Sequence, residues 1–451
     1  MINSDREPHG YAQFARQVQE QLLTQLDLRR TDVARLADVP LRAMVGRLAQ
    51  GIVARLALPP ELDAERLIRV VLDEALGLGP LEPLLADASI SEIMINGAEA
   101  VFVERGGRLE AVEATFSSDK TLRGAIERMV GAVGRRVDEA SPMVDARLRD
   151  GSRVNVILPP LALHGPVVTI RKFSQSRLDM ASLVARGALS VAMAQFLRVA
   201  VHSRLNIIVS GGTGSGKTTL LNAIAAFIPG SERVITIEDA AELALQHAHV
   251  VALEARPRNA EGQGEVTIRD LVRNALRMRP DRIIVGECRG GETLDMLQAM
   301  NTGHEGSLTT AHANSPRDLL SRLEIMALMA GIELPLPAIR AQIAGAIDLI
   351  VHQTRHASGA RRVSSIVEVT GLDSGVVQTQ ELFRFDQDAG DTGSLAGAGA
   401  GAGAGSGAGG AFRSCGQIPA CYERLRHAGS LLANEGLAPF AIGSAAVVER
   451  V

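Results

Sequence analysis

The chain has 451 residues, which is too long for one small core and predicts two or three domains. Hydrophobic residues make up 46% of it, so a sizeable core can be buried. A net charge of -4, 3% aromatic residues and no Trp disfavour a protein that grips nucleic acid through a basic surface or stacked bases.

The sequence also argues against export and membrane insertion. Charged residues interrupt the apolar stretches before they reach the span of a membrane helix. The first residues, MINSDREPHG, lack the basic and then apolar pattern of a signal peptide. Three cysteines, Cys288, Cys415 and Cys421, are too few and too irregularly spaced for a disulfide framework or a zinc ribbon. We therefore expect a soluble cytoplasmic protein with no transmembrane segment of its own.

Residues 1–77 are predicted to form an N-terminal helical region. Apolar residues recur there at three- and four-residue steps, beginning at Phe14 and again at Leu67. Pro59 and Pro60 separate two helical stretches. A small helical bundle without a catalytic role is the favoured interpretation.

Residues 78–175 are predicted to form an α/β domain, because strand-like runs punctuated by Gly turns replace the helical pattern. Its expected elements are strands near 90–95, 101–103, 153–158 and 166–172 and a helix near 119–133.

Residues 176–388 alternate strands with helices, which predicts a mainly parallel sheet. The expected strands are 206–210, 234–237 and 282–285. Residues 389–411 contain a Gly/Ala run with too little side-chain area to offset the entropy of ordering, so we expect a flexible linker. Residues 412–451 are predicted to be a C-terminal tail element.

The most informative motif fits G-x-x-x-x-G-K-[ST] and lies between an apolar strand and a helix, as a phosphate-binding P-loop requires. Backbone N–H groups of such a loop surround phosphates, and the helix N-terminus adds partial positive charge. Lys217 is expected to reach the β- and γ-phosphates of ATP, and Thr218 to offer its hydroxyl to Mg²⁺. The predicted nucleotide contacts are Gly211, Gly212, Thr213, Gly214, Ser215, Gly216, Lys217, Thr218 and Thr219.

Two further strands are predicted to end in acids. Residues 280–287 are a strand followed by Glu287, where P-loop enzymes place a carboxylate for Mg²⁺. That carboxylate is usually Asp, so Glu287 is expected to act through a water ligand. A second strand ends at Glu238, a candidate to orient or deprotonate the attacking water. Parallel sheets bind ligands at the carboxyl ends of their strands, so both acids are expected at one site.

A segment rich in small polar residues, 302–315, contains His304 and His312. A single histidine is usually structural. Two of them among glycines favour a strand that senses the γ-phosphate, and His304 is taken as the candidate catalytic residue.

Basic residues also mark the edge of the first α/β domain. Arg153 and Arg171, with Arg147 as a weaker candidate, are predicted to neutralise charge in the transition state. An ordinary surface ion pair is the alternative for any one of them. The catalytic interpretation requires the two domains to close over the nucleotide.

These motifs resemble those of the type II/type IV secretion ATPase superfamily, and most closely the Tad/Flp pilus-assembly ATPases (CpaF-like). The resemblance runs from about Leu78 to Asp386, with weaker agreement near 412–429. The residues that carry it are the P-loop, the acidic segment 236–242, the segment 279–292 and the His segment 302–316.

The resemblance implies a PAS-like N-terminal domain followed by a RecA-like ATPase domain, assembled as a homo-hexamer. It implies ATP hydrolysis with Mg²⁺ at the bacterial inner membrane, next to integral platform proteins of a pilus or secretion apparatus. Glu238 matches the family's acidic box as water activator, and Arg153 and Arg171 match basic positions that approach the phosphates. The helical region and the Gly/Ala tract depart from the family pattern, so no role is assigned to them.

A second interpretation stays open, a DNA-dependent RecA-type motor for conjugation or packaging. The low aromatic content and the net negative charge favour the secretion motor. A nucleotide-sensing scaffold without activity is disfavoured by the two strand-end acids.

Overall fold

The computed structural model describes residues 10–25, 38–60, 62–148, 150–173, 178–258, 263–387, 410–422, 424–425 and 448–450. The chain divides into two compact units, Met1–Gln175 and Ser176–Val451. The predicted linker 389–411 lies outside the described residues except for Gly410 and Ala411, and so does most of the tail. The finer boundaries at 77 and 388 stay predictions.

The first unit begins with helices that enclose a small apolar core of their own. They are α1 (Gly10–Gln25), α2 (Asp38–Val53) and α3 (Ala64–Leu76). Pro59 and Pro60 lie between α2 and α3, as predicted. A buried carboxylate on α3, Glu74, accepts hydrogen bonds from Gln19 Nε2 at 2.8 Å and from Ser117 Oγ at 2.6 Å. This polar contact joins the helices to the sheet domain that follows.

The rest of the first unit is an antiparallel sheet with the order β3-β2-β1-β6-β5-β4. Its core combines alternating residues of β1, β2, β5 and β6 with one face of α5. The elements are α4 (Leu81–Ala86), β1 (Ile90–Asn96), β2 (Val101–Arg105), β3 (Arg108–Val112), α5 (Asp119–Gly131), β4 (Met143–Arg147), β5 (Arg153–Ile157) and β6 (Val167–Arg171).

The second unit is built on one sheet with ten described strands, in the order β16-β15-β14-β13-β12-β7-β11-β10-β8-β9. Its strands are β7 (Ile207–Gly211), β8 (Val234–Glu238), β9 (Val250–Glu254), β10 (Arg282–Cys288), β11 (Leu308–His312), β12 (Leu349–Arg355), β13 (Arg361–Asp373), β14 (Val376–Asp386), β15 (Ala411–Ser414) and β16 (Val448–Arg450).

Helices cover this sheet. They are α6 (Met180–Ala185), α7 (Val191–His202), α8 (Lys217–Ala225), α9 (Ile268–Ala275), α10 (Glu292–Asn301), α11 (Pro316–Leu328) and α12 (Leu336–Ala346). Several begin at a Ser, Thr or Asp whose side chain accepts a hydrogen bond from a first-turn N–H, and these caps are Asp179, Ser190, Thr267 and Ser315. Two apolar cores result.

Six neighbouring strands of this sheet run parallel to one another, in the spatial order β9, β8, β10, β11, β7 and β12. From β12 onward, β13, β14, β15 and β16 each pair antiparallel with the strand before. The predicted fold class is therefore confirmed: a helical region, an α/β domain and a RecA-like domain with a parallel core. The antiparallel extension was not predicted. Within the residues that the structure describes, no helix is both long and apolar enough to cross a membrane.

Candidate nucleotide site

The P-loop joins β7 to α8 at the carboxyl end of the parallel strands. All five residues of β7 are buried, which fixes the start of the loop. Gly214 and Gly216 have φ angles of 68° and 98°, in the left-handed region that favours glycine. Among the described residues, no side chain caps the N-terminus of α8. The first N–H groups of this helix therefore suit a phosphate, as the sequence predicts.

The first glycine of the loop is required by a neighbouring strand. A Cβ on Gly211 would lie 2.1 Å from the backbone O of Gln353 on β12, which pairs with β7. No side chain fits at that distance. The residue therefore keeps β7 and β12 together as well as opening the loop.

Lys217 is buried at the start of α8, with 7% of its surface exposed. Its Nζ donates to the carbonyl O of Gly212 at 2.9 Å and of Gly211 at 3.2 Å. The same Nζ lies 3.3 Å from Nδ1 of His312, the last residue of β11. The ammonium group thus lies over the loop, beside the end of the neighbouring strand.

His312 links Lys217 to Glu287. Its Nε2 lies 2.8 Å from Oε1 of Glu287. Burial lowers the pKa of His312, and the nearby Lys217 charge lowers it further, so the neutral ring is favoured at pH 7. A neutral ring accepts at Nδ1 from Lys217, while Oε1 of Glu287, close to Nε2, has no hydrogen-bond partner among the described residues.

Glu287 lies near the end of β10 and is held on both sides. While Oε1 faces His312, Oε2 accepts from Arg289 Nε at 2.8 Å and from Arg289 Nη2 at 2.5 Å. Arg289 Nη1 also approaches Oδ2 of Asp239 at 3.7 Å, which connects the ends of β10 and β8. The carboxylate therefore has a fixed orientation at the strand end.

Glu238 ends β8 and is 3% exposed. Its Oε2 accepts from the N–H groups of Glu242 at 2.8 Å and Leu243 at 2.9 Å, whereas its buried Oε1 has no hydrogen-bond partner among the described residues. Burial raises the pKa of Glu238 to about 7. Gly286 makes room for this side chain, since a Cβ there would lie 2.7 Å from Glu238 Cγ. A carboxylate with one unpartnered oxygen and a pKa near neutrality suits a general base.

The structure places the two histidines at opposite ends of one strand. The segment 302–315 does contain a strand, β11, but His304 precedes it. His304 therefore lies at the amino end of the parallel strands, whereas the P-loop lies at their carboxyl end. His304 contributes backbone bonds there, to Ala299 and to the hydroxyl of Ser307. Because ligands bind at the carboxyl ends of parallel strands, His312 is the residue that meets the site.

Arg153 and Arg171 belong to the first unit and lie directly opposite each other on β5 and β6. Arg147 on β4 lies opposite Arg153, so the three arginines form a row across adjacent strands. Arg171 Nε is 3.9 Å from Oε1 of Glu92.

The fold of the second unit and the residues at the carboxyl ends of its parallel strands define the class of protein. It contains a RecA-like domain with a P-loop and with acids at the strand ends. The family model described as type II/IV secretion system protein matches residues 74–382, more than half of the chain. The chain belongs to this family.

Several relatives are similar over most of their own length. A putative conjugal transfer protein of Mycobacterium tuberculosis is 39% identical over 330 residues, which cover 72% of this chain and 93% of that protein. The type IV secretion system protein VirB11 of Brucella abortus is 34% identical over 318 residues, 64% of this chain and 88% of that protein. The crystal structure of the VirB11 ATPase from Brucella suis is 32% identical and covers 65% of this chain and 97% of that chain, with a TM-score of 0.35.

Proposed function

We propose that the protein is an ATP-hydrolysing motor that powers pilus assembly or protein secretion at the bacterial inner membrane, as a Tad/Flp pilus ATPase does. The observation that carries the proposal is the meeting of Lys217, Glu238, Glu287 and His312 at the carboxyl ends of four strands. This is the edge where a P-loop presents a nucleotide. Membership of the secretion family supports the choice of a motor.

The donor set fits a magnesium ion held jointly with a nucleotide. Among the described residues no group of three or more His, Cys, Asp or Glu side chains could hold a metal alone. Magnesium is normally held by one or two protein oxygens together with phosphates and waters, and Thr218 and Glu287 supply such oxygens. The bound ion would neutralise charge on the phosphates. Arg289 holds Glu287 in place for this role, with His312 close to its other oxygen.

Other residues of the chain would bind the phosphates and activate the attacking water. Lys217 would bind the β- and γ-phosphates, and the loop N–H groups would orient them. Glu238 has one oxygen fixed by two backbone N–H groups and one oxygen without a partner, so it would take a proton from the attacking water at Oε1. His312, held between Lys217 and Glu287, would sense the γ-phosphate, the role that the sequence assigned to His304.

The arginine row supports a role for the first unit in the reaction. Arg147, Arg153 and Arg171 lie opposite one another on adjacent strands, and Glu92 lies opposite Arg171 on its other side. Such a row is favourable where an anion is bound. We propose that Arg153 and Arg171 act on the γ-phosphate, where charge develops in the transition state.

The motor would act as a hexameric ring next to integral platform proteins of the inner membrane. A second candidate is a motor for DNA transfer, favoured by one observation: the Mycobacterium tuberculosis relative is named a putative conjugal transfer protein. The two differ in the response to DNA, which should stimulate ATP turnover only in the second.

The test measures ATP turnover and ADP affinity for the full chain, with and without duplex or single-stranded DNA, over a range of protein concentrations. Unsubstituted protein should hydrolyse ATP in a Mg²⁺-dependent way and lose turnover on dilution as the ring dissociates. Arg153→Ala and Arg171→Ala should each lower turnover by about 10³-fold and leave ADP affinity nearly unchanged.

Arg136→Ala is the matched control, because the Arg136 side chain is 80% exposed and pairs with nearby Asp138 in the same unit. It should behave like the unsubstituted protein. Concentration-independent turnover by a monomer, with both arginine variants fully active, would refute the ring motor. Stimulation by DNA would favour the second candidate.

A further inference from the structure

The hairpin between β12 and β13 contacts the P-loop. Arg355 ends β12 and lies opposite Arg361, which begins β13. Arg361 Nε donates to the carbonyl O of Gly214 at 2.8 Å. Arg355 Nη1 lies 3.3 Å from the position that a Cβ on Gly214 would occupy. Two guanidinium groups therefore flank the middle of the loop.

The contact with Gly214 constrains a peptide that the loop itself holds weakly. The peptide bond is planar and trans, so fixing the carbonyl of Gly214 also fixes the direction of the Ser215 N–H. Ser215 N is 3.4 Å from the carbonyl O of Gly212, longer than an ordinary N–H···O bond. Gly214 is free to adopt several conformations. The bond from Arg361 is thus the stronger constraint on this peptide.

The other strand of the hairpin, β12, contacts the two ends of the P-loop. Gln353 on β12 is 2% exposed, and its Nε2 lies 3.4 Å from the position of a Cβ on Gly216. Its backbone O packs against Gly211. Contacts from β12 and β13 therefore reach the start, the middle and the end of the P-loop.

We propose that Arg361 is a positioning residue for nucleotide binding. It holds the Gly214–Ser215 peptide in the orientation in which the loop N–H groups surround a polyphosphate, and its positive charge adds to the attraction for that anion. This role rests on the nucleotide binding proposed above. Because Arg361 contacts the loop at Gly214 and not the strand ends that carry Glu238 and Glu287, it affects nucleotide affinity rather than the chemical step.

Arg362, the next residue of β13, provides the matched control. Successive residues of a strand point to opposite faces. The Arg362 guanidinium lies 4.7 Å from the centre of the Phe385 ring, which belongs to the apolar core. Its loss should affect packing, whereas the loss of Arg361 should affect the loop.

The experiment compares Arg361→Ala, Arg361→Lys and Arg362→Ala in the full chain. It measures the Kd for Mg-ADP by calorimetry, KM and kcat for ATP, and Tm without nucleotide. Arg361→Ala should raise Kd and KM about five-fold, as expected for one charge-assisted hydrogen bond at an exposed side chain, with kcat and Tm nearly unchanged. Arg361→Lys keeps a charged donor and should recover most of the affinity. Arg362→Ala should lower Tm and leave Kd unchanged.

Two results would overturn this role. One is an unchanged Kd in Arg361→Ala, and the other is an equal rise of Kd in Arg361→Ala and Arg362→Ala, which would indicate a general effect of the hairpin. Either result would leave the proposed function standing if the unsubstituted protein binds Mg-ADP. Failure of the unsubstituted protein to bind Mg-ADP would refute the proposed function and this role together.

Discussion

The two ends of the parallel sheet both bury charged side chains, but they use them differently. At the amino end, Arg282 is 0% exposed and donates to Glu232, to the carbonyl O of Val201 at 2.9 Å and to the carbonyl O of Gly306 at 3.2 Å. At the carboxyl end, Glu238 is almost as deeply buried and keeps one oxygen without a partner among the described residues.

The difference separates structural charges from functional ones. A buried ion with its hydrogen bonds complete contributes to the fold, and removing its partner is costly. A buried carboxylate with an unpartnered oxygen and a raised pKa retains the capacity to bind a proton or a water. Burial alone does not distinguish Arg282 from Glu238, and the completeness of their hydrogen bonding does.

The largest expected effect on turnover comes from Lys217→Ala at the carboxyl end. Turnover should fall by about 10³-fold, because a donor to the transferring phosphate is lost. The free energy of unfolding should change by less than about 1 kcal/mol, since Lys217 bonds loop carbonyls and lies outside the apolar packing. Turnover assays paired with urea unfolding would check both values, and near-normal turnover in a folded variant would contradict the ATPase proposal.

Arg282→Ala should do the opposite at the amino end. It removes a donor from Glu232 and from the carbonyl groups of Val201 and Gly306, although Glu232 keeps the bond from Arg204 Nη2 at 3.1 Å. The free energy of unfolding should therefore fall by about 1–3 kcal/mol. Turnover per folded molecule should be retained at low temperature. A variant with normal stability that no longer hydrolyses ATP would contradict the structural role of Arg282.

Glu238→Gln should lower turnover by about 10²–10³-fold with Mg-ATP binding kept, because the amide preserves the shape and loses the base. Turnover of the unsubstituted protein should decline as pH falls below about 7, the pKa of Glu238. This acidic limb should disappear in the variant. Normal turnover in Glu238→Gln would transfer the role of base to another residue.

The same substitution predicts a change in stability. The pKa of Glu238 is raised in the folded protein from its ordinary 4.5. The folded state therefore binds the proton more tightly than the unfolded chain, and stability is lost as pH rises from about 4.5 through about 7. Gln does not titrate, so the variant should have the higher Tm at pH 8 and a similar Tm at pH 4.5. Equal Tm values at pH 8 would contradict the raised pKa.

The smallest expected effect on turnover compares two histidines at the two ends of β11. His312→Gln should lower turnover by about ten-fold, because the link between Lys217 and Glu287 is weakened. His304→Gln should leave turnover nearly unchanged, since His304 lies beyond the amino end of β11. Steady-state assays of both variants under one set of conditions would check this, and the reverse ranking would restore the original choice of His304.

The sequence predicts the parallel strands and the residues at their carboxyl ends, because both are indicated by short stretches of neighbouring residues. The P-loop motif, the strand before it and the acids after two apolar strands identify Lys217, Glu238 and Glu287 from neighbouring residues alone. The segment reveals two histidines but not the bounds of the strand, so the sequence does not show that His304 precedes it and His312 ends it. Placing the strand at Leu308–His312 would have selected His312 through the rule for parallel strands.

The antiparallel extension and the role of Arg361 depend on contacts between residues far apart in the chain. Arg361 is separated from Gly214 by 147 positions, and nothing near either residue indicates the pairing of β12 with β7 that brings them together. The pKa of Glu238 likewise follows from burial by the surrounding fold. Such features require the folded structure.

Gly211 has a consequence for interpreting variants of this protein. In a saturation mutagenesis screen scored by growth, loss of function at position 211 would be taken as loss of a phosphate contact. Any side chain there would meet the Gln353 carbonyl at 2.1 Å and force two paired strands apart, so abundance should fall as well. Changes at Lys217 should leave abundance intact. A screen that scores abundance beside growth would separate the two positions, although they belong to a single motif.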